Sequence, residues 1–369
     1  MNRFVCEENM CTGCRACIDT CTKNAIFIQD NLDSFNAVID KSKCIDCEAC
    51  HKVCPNNSPV ELKEQLSWHQ GWADSSEERE KSSSGGFATV LSKTFIQNGG
   101  IVCSCTFSEG DFIFKVAETE METECFRGSK YVKSNPEGIF RKVRALLKEQ
   151  KKVLFIGLPC QVAAVKNFVG KSNEENLYTV DLICHGTPSV EILKKYLDQY
   201  KIKLKDVKEI SFRTKNSFML KNNKTPIIDS RIQDRYTMTF LSSLNYTENC
   251  YSCRYATDKR AGDITIGDSW GSDLSDEVEK GISLIMCQTE KGEQLLHLMP
   301  FNFEKVDSNI ALKNNHQLRH PAVAPEKRTQ FFEEIKKGKN YDSVVAKIYP
   351  KACIKQRIKK VLFRIRGGV

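Results

Sequence analysis

Short apolar runs alternate with longer amphipathic segments through the middle of the chain. VLFIG leads into PCQVAAVKNFVG, and LYTVDLIC leads through HGTPS into VEILKKYLDQY. A strand, a tight turn and a helix repeated in this way predict parallel strands within an α/β layer. IVCSCTF and DFIFKVAE, which flank SEGD, predict a β-hairpin. The preceding stretch predicts a helix from about Gly86, with Ser84 as its N-cap and Gly99 as its stop.

Composition adds an unusual number of cysteines to this pattern. The 369 residues include 18 cysteines, with 40% hydrophobic and 28% charged residues. No apolar run reaches the roughly 18 residues that span a bilayer, so we expect a cytoplasmic protein. Cysteines in that compartment indicate metal ligation rather than disulfides. Seven basic residues and no acidic residue lie in 351–366, and they account for most of the net charge of +8. The rest of the chain is nearly neutral, so no nucleic-acid footprint is predicted.

The first 60 residues contain one cysteine spacing twice. CTGCRACIDTC and CIDCEACHKVC both follow C-x2-C-x2-C-x3-C. In bacterial two-cluster ferredoxins, the fourth cysteine of each run ligates the other run's cluster. A pair of zinc sites is the alternative, but zinc motifs seldom use three cysteines so closely spaced. The spacing therefore predicts two [4Fe–4S] clusters, one held by Cys11, Cys14, Cys17 and Cys54 and the other by Cys44, Cys47, Cys50 and Cys21.

Four more cysteines stand where predicted strands end or in an isolated pair. Cys160 follows the VLFIG strand, Cys184 ends the LYTVDLIC strand, and CYSCRY supplies Cys250 and Cys253. Open α/β sheets bind ligands at the carboxyl ends of their strands. The pattern allows a third cluster there, and equally allows buried cysteines beside a zinc or redox-active pair. No role is predicted for Cys6, Cys103, Cys105, Cys125, Cys287 or Cys353.

Several further motifs occur in order within roughly residues 1–290. They are SSSGGFATVL, GSKYVKS, GLPCQVAAV, DLICHG and CYSCRYATDKRAGDITIGDSWG. Together they resemble the beta-subunit family of coenzyme F420-reducing hydrogenase and dehydrogenase. The resemblance implies an FAD on the α/β domain and a [4Fe–4S] cluster beside it, held by Cys160, Cys184, Cys250 and Cys253. Some members of the family reduce F420, whereas others use different substrates or have no assigned reaction.

The resemblance also assigns residues to the flavin. A small turn at a helix start lets N–H groups approach a phosphate or a flavin carbonyl. Lys130 could neutralise a reduced flavin and His185 could deliver a proton, so these two are the candidate catalytic residues. The alternatives are a helix cap, an exposed lysine, a loop histidine and a core strand around Asp263. The implied flavin contacts are Ser84, Gly85, Gly86, Gly128, Ser129, Lys130, Tyr131, Pro159, Gln161, Asp263 and Gly267.

The C-terminal segment has the pattern of a basic amphipathic helix. It places Ile354, Ile358, Val361, Leu362 and Ile365 on one face, opposite basic residues. Such a helix can lie on the anionic inner face of a membrane. It can equally dock on a partner or remain a solvated tail. Any peripheral membrane contact is therefore predicted within residues 351–369.

The predicted fold combines the α+β and α/β classes. We expect a dicluster ferredoxin module at 1–60, a linker at 61–84, an α/β flavin and iron–sulfur domain at 85–290, and a helical region with a basic tail at 291–369. The predicted function is that of an iron–sulfur flavoprotein oxidoreductase acting on an organic two-electron substrate, such as F420 or a polysaccharide-pathway intermediate. The alternative is an electron-transfer subunit with no substrate of its own. A redox partner protein or a small-molecule electron donor is expected in either case.

Overall fold

The computed structural model describes the backbone of residues 3–365 and the side chains of residues 3–361. Its strands are β1 Ile26–Asp30, β2 Phe35–Ile39, β3 Ser67–Ala73, β4 Ile101–Ser108, β5 Asp111–Ala117, β6 Val153–Gly157, β7 Leu177–Leu182, β8 Ile210–Thr214, β9 Ser217–Asn222, β10 Thr225–Pro226, β11 Ile264–Asp268, β12 Ser283–Cys287 and β13 Phe301–Lys305. Its helices are α1 Ala16–Thr20, α2 Ala49–Val53, α3 Ser76–Lys81, α4 Phe87–Gln97, α5 Glu120–Thr123, α6 Ile139–Lys148, α7 Pro159–Val169, α8 Val190–Asp198, α9 Arg235–Leu241, α10 Ser275–Val278, α11 Glu290–His297, α12 Ser308–Asn314, α13 Arg328–Lys336, α14 Tyr341–Ile348 and α15 Pro350–Ile365.

The N-terminal module shows the internal repeat in its backbone. The residue before α1 is Arg15 and the residue before α2 is Glu48, and both are left-handed, with φ of 59° and 57°. Gly13 and Asp46, two residues earlier in each run, also have positive φ. Strands β1 and β2 pair antiparallel between the two runs. The equal spacing of the cysteines therefore corresponds to equal local conformations.

An extended sheet forms the centre of the α/β domain. Within the described residues its strand order is β13-β3-β12-β11-β7-β6-β4-β5. Strands β4, β6, β7 and β11 run parallel, whereas the β4–β5 hairpin and the β11–β12–β3–β13 side are antiparallel. The predicted strand–turn–helix units and the hairpin are thus confirmed. The ends of β6, β7 and β11 lie together, and we call this place the carboxyl end of the sheet.

Helices cover both faces of the sheet. Leu154 and Ile156 of β6 pack in the core that contains α4 and α11, whereas Val153 and Phe155 pack in the core that contains α6 and α7. Burial on both faces explains why the strand is a continuous apolar run. The ferredoxin helices α1 and α2 contact α7, which brings the N-terminal module next to the carboxyl end of the sheet.

Two boundaries predicted from the sequence are wrong. The supposed linker at 61–84 contains β3, a strand between β12 and β13. The supposed helical region at 291–369 contributes β13 to the same sheet. Both strands are short, polar and non-local in their pairing, so no local pattern distinguishes them from connections. Helix α4 is confirmed, but its N-cap is Gly86, since the Ser84 hydroxyl donates to the Ile282 carbonyl instead.

A second core lies beside the sheet. It joins α8 and α9 to α13 and α14, with Tyr196, Phe212, Tyr236 and Phe331 fully buried. The small antiparallel sheet β8–β9–β10 packs onto it. This part places Arg213 of β8 against Asp268 at the end of β11.

Candidate iron–sulfur and flavin site

The first predicted cysteine set is buried. Cys11, Cys14, Cys17 and Cys54 are each 6–7% exposed. Burial, followed by the charges of Cys54 and Cys11, raises the pKa of the Cys14 thiol to about 12. The fourth cysteine of the second run therefore lies beside the first three of the first run, as the ferredoxin pattern predicts.

The second predicted set reaches the surface. Burial raises the pKa of Cys50, and the nearby thiols of Cys21 and Cys44 add to this effect. Cys47 is exposed, whereas the other three are partly buried. The two sets thus differ in their distance from solvent, with the second set on the outside.

Backbone amides point at several of these sulfur atoms. The N–H groups of Gly13 and Asp46 donate to the Sγ atoms of Cys11 and Cys44, at 3.4 Å each. The N–H of Ala25 donates to Cys21 Sγ at 3.3 Å. Hydrogen bonds of this kind favour the thiolate, which is the form that binds iron.

The four remaining candidate ligands meet at one cavity. Cys160 in the first turn of α7, Cys184 just after β7, and Cys250 and Cys253 all line a cavity of about 200 Å³. The ferredoxin module closes one side of it with Met10, Thr12 and Asn56. Cysteines separated by up to 93 residues are therefore brought together at the carboxyl end of the sheet.

The same kind of sulfur contact recurs in this set. The Thr187 N–H donates to Cys250 Sγ at 3.4 Å. Burial, followed by the charges of Cys250 and Cys253, raises the pKa of Cys184 to about 12, while the Gly186 N–H acts in the opposite direction. Burial likewise raises the pKa of Cys253, opposed by the Tyr255 N–H. The set therefore has the amide environment found around the ferredoxin cysteines.

The four cysteines form a candidate donor set for an iron–sulfur cluster, because all of them line one cavity. Among residues 3–361, no three His, Cys, Asp or Glu side chains form a single-ion site. Crowded buried thiols bind metal as thiolates, and a polynuclear iron core would offset their charge.

A buried ion pair holds the loop that bears Cys253. Arg260 donates through Nε and Nη2 to Asp181 at 3.1 and 2.8 Å, and the two side chains are 2% and 0% exposed. Arg260 also donates to the carbonyls of Tyr255 and Leu182, at 2.7 and 2.9 Å. It therefore ties the segment after Cys253 to the end of β7, which leads directly to Cys184.

The segment 128–134 crosses the carboxyl end of the sheet. Ser129 N–H donates to Ser83 Oγ at 3.2 Å, Lys133 N–H donates to the Pro188 carbonyl at 2.8 Å, and Gln161 Nε2 donates to Ser134 Oγ at 2.9 Å. The ring of Tyr131 stacks on Phe240 with centroids 4.3 Å apart. These contacts bring the motifs SSSGG, PCQ, HGTP and GSKYVKS together around one place.

The Ser84–Gly86 turn lies at the same end. Gly85 packs against β3, where a Cβ would come within 2.3 Å of the Gly71 carbonyl oxygen. Gly86 begins α4 without a side-chain cap, so the first N–H groups of this helix are available to an anion. Gly128 is exposed, with open space around it. Pro159 starts α7, and Gly267 is the last residue but one of β11, beside Ile183.

Two candidate catalytic residues have defined partners. Lys130 Nζ donates to the carbonyls of Phe126 and Arg127 at 2.7 and 2.9 Å, and burial lowers its pKa. His185 lines the cavity, and its Nδ1 accepts from the Gln317 amide. Burial of the His185 ring, followed by the charge of His316, lowers its pKa to about 4. Because Nδ1 accepts from the Gln317 amide, the neutral ring carries its proton on Nε2, and the lowered pKa makes His185 a weak base.

Asp263 lies away from the other candidates. It precedes β11, five residues and about 16 Å from Asp268 at the other end of the strand. Its carboxylate accepts from Thr179 N–H, Thr179 Oγ1 and Thr289 Oγ1, at 2.8, 2.7 and 3.0 Å. These contacts fit the core role that the sequence offered as the alternative for Asp263.

Comparison with known proteins agrees with this organisation. Residues 150–302 match the family described as the C terminus of the coenzyme F420 hydrogenase/dehydrogenase beta subunit, and residues 10–58 match the 4Fe-4S dicluster domain. The F420H2 dehydrogenase of Methanosarcina mazei has a subunit, named F, that is 22% identical over 313 residues, which are 80% of this chain and 84% of that protein.

Residues 150–302 thus carry the C-terminal domain of the coenzyme F420 hydrogenase/dehydrogenase beta subunit, and residues 10–58 carry a dicluster ferredoxin domain. A chain of the F420-reducing [NiFe] hydrogenase complex of Methanosarcina barkeri shares the fold. Its TM-score is 0.50 at 19% identity, over 75% of this chain and 94% of that chain. The resemblance predicted from the motifs is thus confirmed. The protein is an iron–sulfur protein of an oxidoreductase family, with [4Fe–4S] clusters in its dicluster domain.

Sequence reasoning missed several polar residues around the candidate site. Arg213 forms a two-pronged ion pair with Asp268, at 2.5 and 2.8 Å. Arg127, just before Gly128, has a buried Nη1 with no hydrogen-bond partner among the described residues. Lys133 lines the cysteine cavity. Arg127 directly precedes GSKYVKS and Lys133 lies within it, so this motif could have identified both residues. Arg213 lies in none of the motifs.

Helix α15, at the C-terminal end of the described residues, is amphipathic over its described part. Ile354, Ile358 and Val361 are 54–55% exposed, whereas Cys353 is buried against α14. The side chains of Leu362 and Ile365 lie outside the described residues. No helix in the described part of the chain is long and apolar enough to cross a membrane.

Proposed function

We propose that this protein is an iron–sulfur flavoprotein oxidoreductase with three [4Fe–4S] clusters and one FAD. The observation that carries the proposal is the cavity lined by Cys160, Cys184, Cys250 and Cys253, with the buried ferredoxin set beside it. Four thiols from separate segments around one cavity are the donor set that a cubane cluster requires. The ferredoxin ligands are those of the two sets described above.

The residues hold the three cysteine sets in an order from the surface inward. Cys47 is exposed, which supports docking of an electron donor or acceptor at the outer set. Burial raises the pKa of Cys17 in the buried set, and the charge of Cys50 in the outer set adds to this effect. Burial also raises the pKa of Cys160 in the third set, and the charge of Cys14 in the buried set adds to it. The buried ferredoxin set thus lies between the outer set and the third set.

The carboxyl end of the sheet fits a flavin. We propose that Ser84, the uncapped start of α4 and the unpartnered Nη1 of Arg127 face its phosphates. Tyr131, Gln161 and Gly267 would contact the ring system, near His185. Bound clusters transfer single electrons, and a bound flavin combines two of them for an organic acceptor. Lys130 would place its ammonium near the flavin while it donates to the carbonyls of Phe126 and Arg127. The neutral His185 would donate a hydrogen bond through its Nε2–H.

The second candidate function is an electron-transfer subunit without a substrate of its own. The relatives named above are subunits of a dehydrogenase and of a hydrogenase complex, and the exposed Cys47 favours a protein partner. F420, which appears in the names of both relatives, is the first acceptor to assay, followed by polysaccharide-pathway intermediates. Flavin content with turnover by the isolated chain supports the enzyme, whereas the absence of both supports the relay role.

Cofactor counts on purified variants test the proposal. Anaerobically purified wild type should contain about twelve irons, twelve sulfides and one flavin per chain, and Cys250→Ser/Cys253→Ser about eight irons. Cys125→Ser is the matched control, because Cys125 is exposed and belongs to none of the three sets. About eight irons in the wild type and in the double variant alike would refute the third cluster. Absence of flavin from the wild type would refute the flavoprotein.

We further propose that α15 contacts an anionic membrane surface. The exposed Ile354, Ile358 and Val361 form one stripe, with Arg357 on one side of it and Lys351 and Lys355 on the other. Basic side chains beside a narrow apolar face are typical of helices that lie in the plane of a bilayer surface.

Vesicle sedimentation tests this contact. Wild type should sediment with phosphatidylcholine vesicles that contain phosphatidylglycerol, and far less with pure phosphatidylcholine. Ile354→Ser/Ile358→Ser/Val361→Ser should lose this binding, whereas Val323→Ser, an exposed valine elsewhere, should keep it. Equal sedimentation of the triple variant, or none of the wild type, would contradict the proposal.

A further inference from the structure

Lys133 is a buried lysine at the boundary between the ferredoxin module and the α/β domain. It is 5% exposed, although its side chain would normally be charged. Its Nζ donates to the carbonyl of Thr12, in the first cysteine run, at 3.1 Å. The same ammonium lies over the ring of Phe35, 5.3 Å from the centroid. The side chain of Lys133, which belongs to the α/β domain, thus reaches into the ferredoxin module.

The first cysteine run leaves a space for this side chain. Gly13 has φ of +72°, and a Cβ there would come within 2.8 Å of Lys133 Cδ and 2.9 Å of Phe35 Cδ2. The aliphatic part of the lysine therefore occupies the place where any other residue would carry its side chain. The contact is built by both domains.

The charge of Lys133 is not used in an ion pair. Its ammonium contacts are the Thr12 carbonyl and the Phe35 ring, and no carboxylate among residues 3–361 forms a salt bridge with it. Burial raises the pKa of Asp30, and the charge of Lys133 opposes this effect. That carboxylate accepts hydrogen bonds from Ser189 Oγ and Leu32 N–H. A buried cation without a paired anion requires negative charge nearby.

Two cysteine sets supply that environment. Lys133 lines the cavity with Cys160, Cys184, Cys250 and Cys253. Its Nζ donates to the carbonyl of Thr12, which lies between Cys11 and Cys14 of the buried ferredoxin set. No cysteine of the outer set lines this cavity. The cation therefore lies beside two of the three cysteine sets.

We propose that Lys133 is an electrostatic positioning residue that stabilises the reduced state of both the third cluster and the buried ferredoxin cluster. Reduction adds one electron, and hence one negative charge, to a cluster whose thiolates already carry negative charge. A buried cation beside both sets favours that added charge, and in the protein interior its attraction is weakly screened. The proposal rests on the proposed function only for the third cluster, because the dicluster domain is established independently.

The expected effect is a shift of potential confined to two clusters. Replacing Lys133 by Met should lower the equilibrium constant for one-electron reduction of each neighbouring cluster about tenfold, or about 59 mV. The outer cluster, held by Cys21, Cys44, Cys47 and Cys50, should keep its potential and serves as an internal control.

Anaerobic redox titration followed by electron paramagnetic resonance measures these potentials. Lys133→Gln is the second variant, because it keeps a donor for the Thr12 carbonyl while it removes the charge. Lys166→Met is the matched control. Its ammonium also donates to a backbone carbonyl, that of Ala261 at 2.6 Å, but Lys166 does not line the cavity of the third set.

Each outcome decides between the hypotheses. Lowered potentials of two clusters in both variants, with Lys166→Met unchanged, support the proposal. Unchanged potentials in intact variants, an equal shift of the outer cluster, or loss of iron from both variants overturn it, and the last result makes Lys133 a purely structural residue. A wild type with only two clusters would refute the proposed third cluster. The inference would then be decided by the buried ferredoxin cluster alone.

Discussion

Removal of Arg260 is the sharpest test of how the third cysteine set is held together. The guanidinium is 2% exposed and the partner carboxylate of Asp181 is fully buried. In Arg260→Met the aliphatic volume is largely kept, so packing changes little. What is lost is the charge and the hydrogen bonds to Asp181, Tyr255 and Leu182.

The magnitude follows from the anion left behind. Breaking a buried pair by removal of one partner costs about 3–5 kcal/mol, because the remaining charge is uncompensated. Asp181 retains hydrogen bonds from Gly262 N–H and Thr265 Oγ1, at 2.8 Å each. These donors reduce the penalty, so we expect the free energy of unfolding to fall by about 3 kcal/mol, the lower end of that range.

The assay combines unfolding with iron content. Anaerobic denaturant unfolding, followed by circular dichroism, gives the change in stability, and iron counts show whether the third set survives. We expect Arg260→Met to retain about eight irons, because the two ferredoxin sets do not depend on this contact. Lys259→Met is the matched control. Its ion pair with Glu64 at 2.9 Å is exposed, and such pairs contribute about 0–1 kcal/mol.

A second substitution separates the charge from the packing. Asp181→Asn on top of Arg260→Met should recover part of the lost stability, because a neutral amide costs less to bury than a carboxylate. The reasoning would be refuted if Arg260→Met lost less than about 1 kcal/mol and kept about twelve irons. It would also be refuted if Lys259→Met were equally destabilised.

Three further substitutions test other parts of the site. Cys47→Ser should disrupt the outer cluster, because it removes an exposed ligand, while the signals of the other clusters persist in electron paramagnetic resonance; loss of all signals would contradict separate sets. Gly13→Ala should lower the free energy of unfolding by about 1–3 kcal/mol, because its methyl would press on Lys133; an unchanged melting temperature would refute the close contact. Asp263→Asn should lower the free energy of unfolding by about 1–3 kcal/mol, because the carboxylate accepts hydrogen bonds from Thr179 and Thr289. Its flavin content should be unchanged, and flavin loss in a stably folded variant would indicate that Asp263 contacts the flavin.

The ferredoxin module and the parallel core of the sheet could be predicted from the amino-acid sequence alone. Both depend on short-range relations along the chain. The cysteine spacing fixes a local loop that repeats its left-handed residues at Arg15 and Glu48. In β6, apolar side chains on both faces predict a strand buried between helices. Local periodicity was sufficient because each of these elements has its own pattern.

The assembly of the third cysteine set and its surroundings depends on contacts between distant parts of the chain. Strand β3 joins the sheet through partners more than 200 residues away, which no local pattern encodes. Cys160, Cys184, Cys250 and Cys253 meet because separate chain segments end at the same end of the sheet. Asp263 and Gly267, four residues apart in one motif, lie towards opposite ends of one strand. A motif shows which residues occur together in the chain, but the path of the backbone decides which of them share a site.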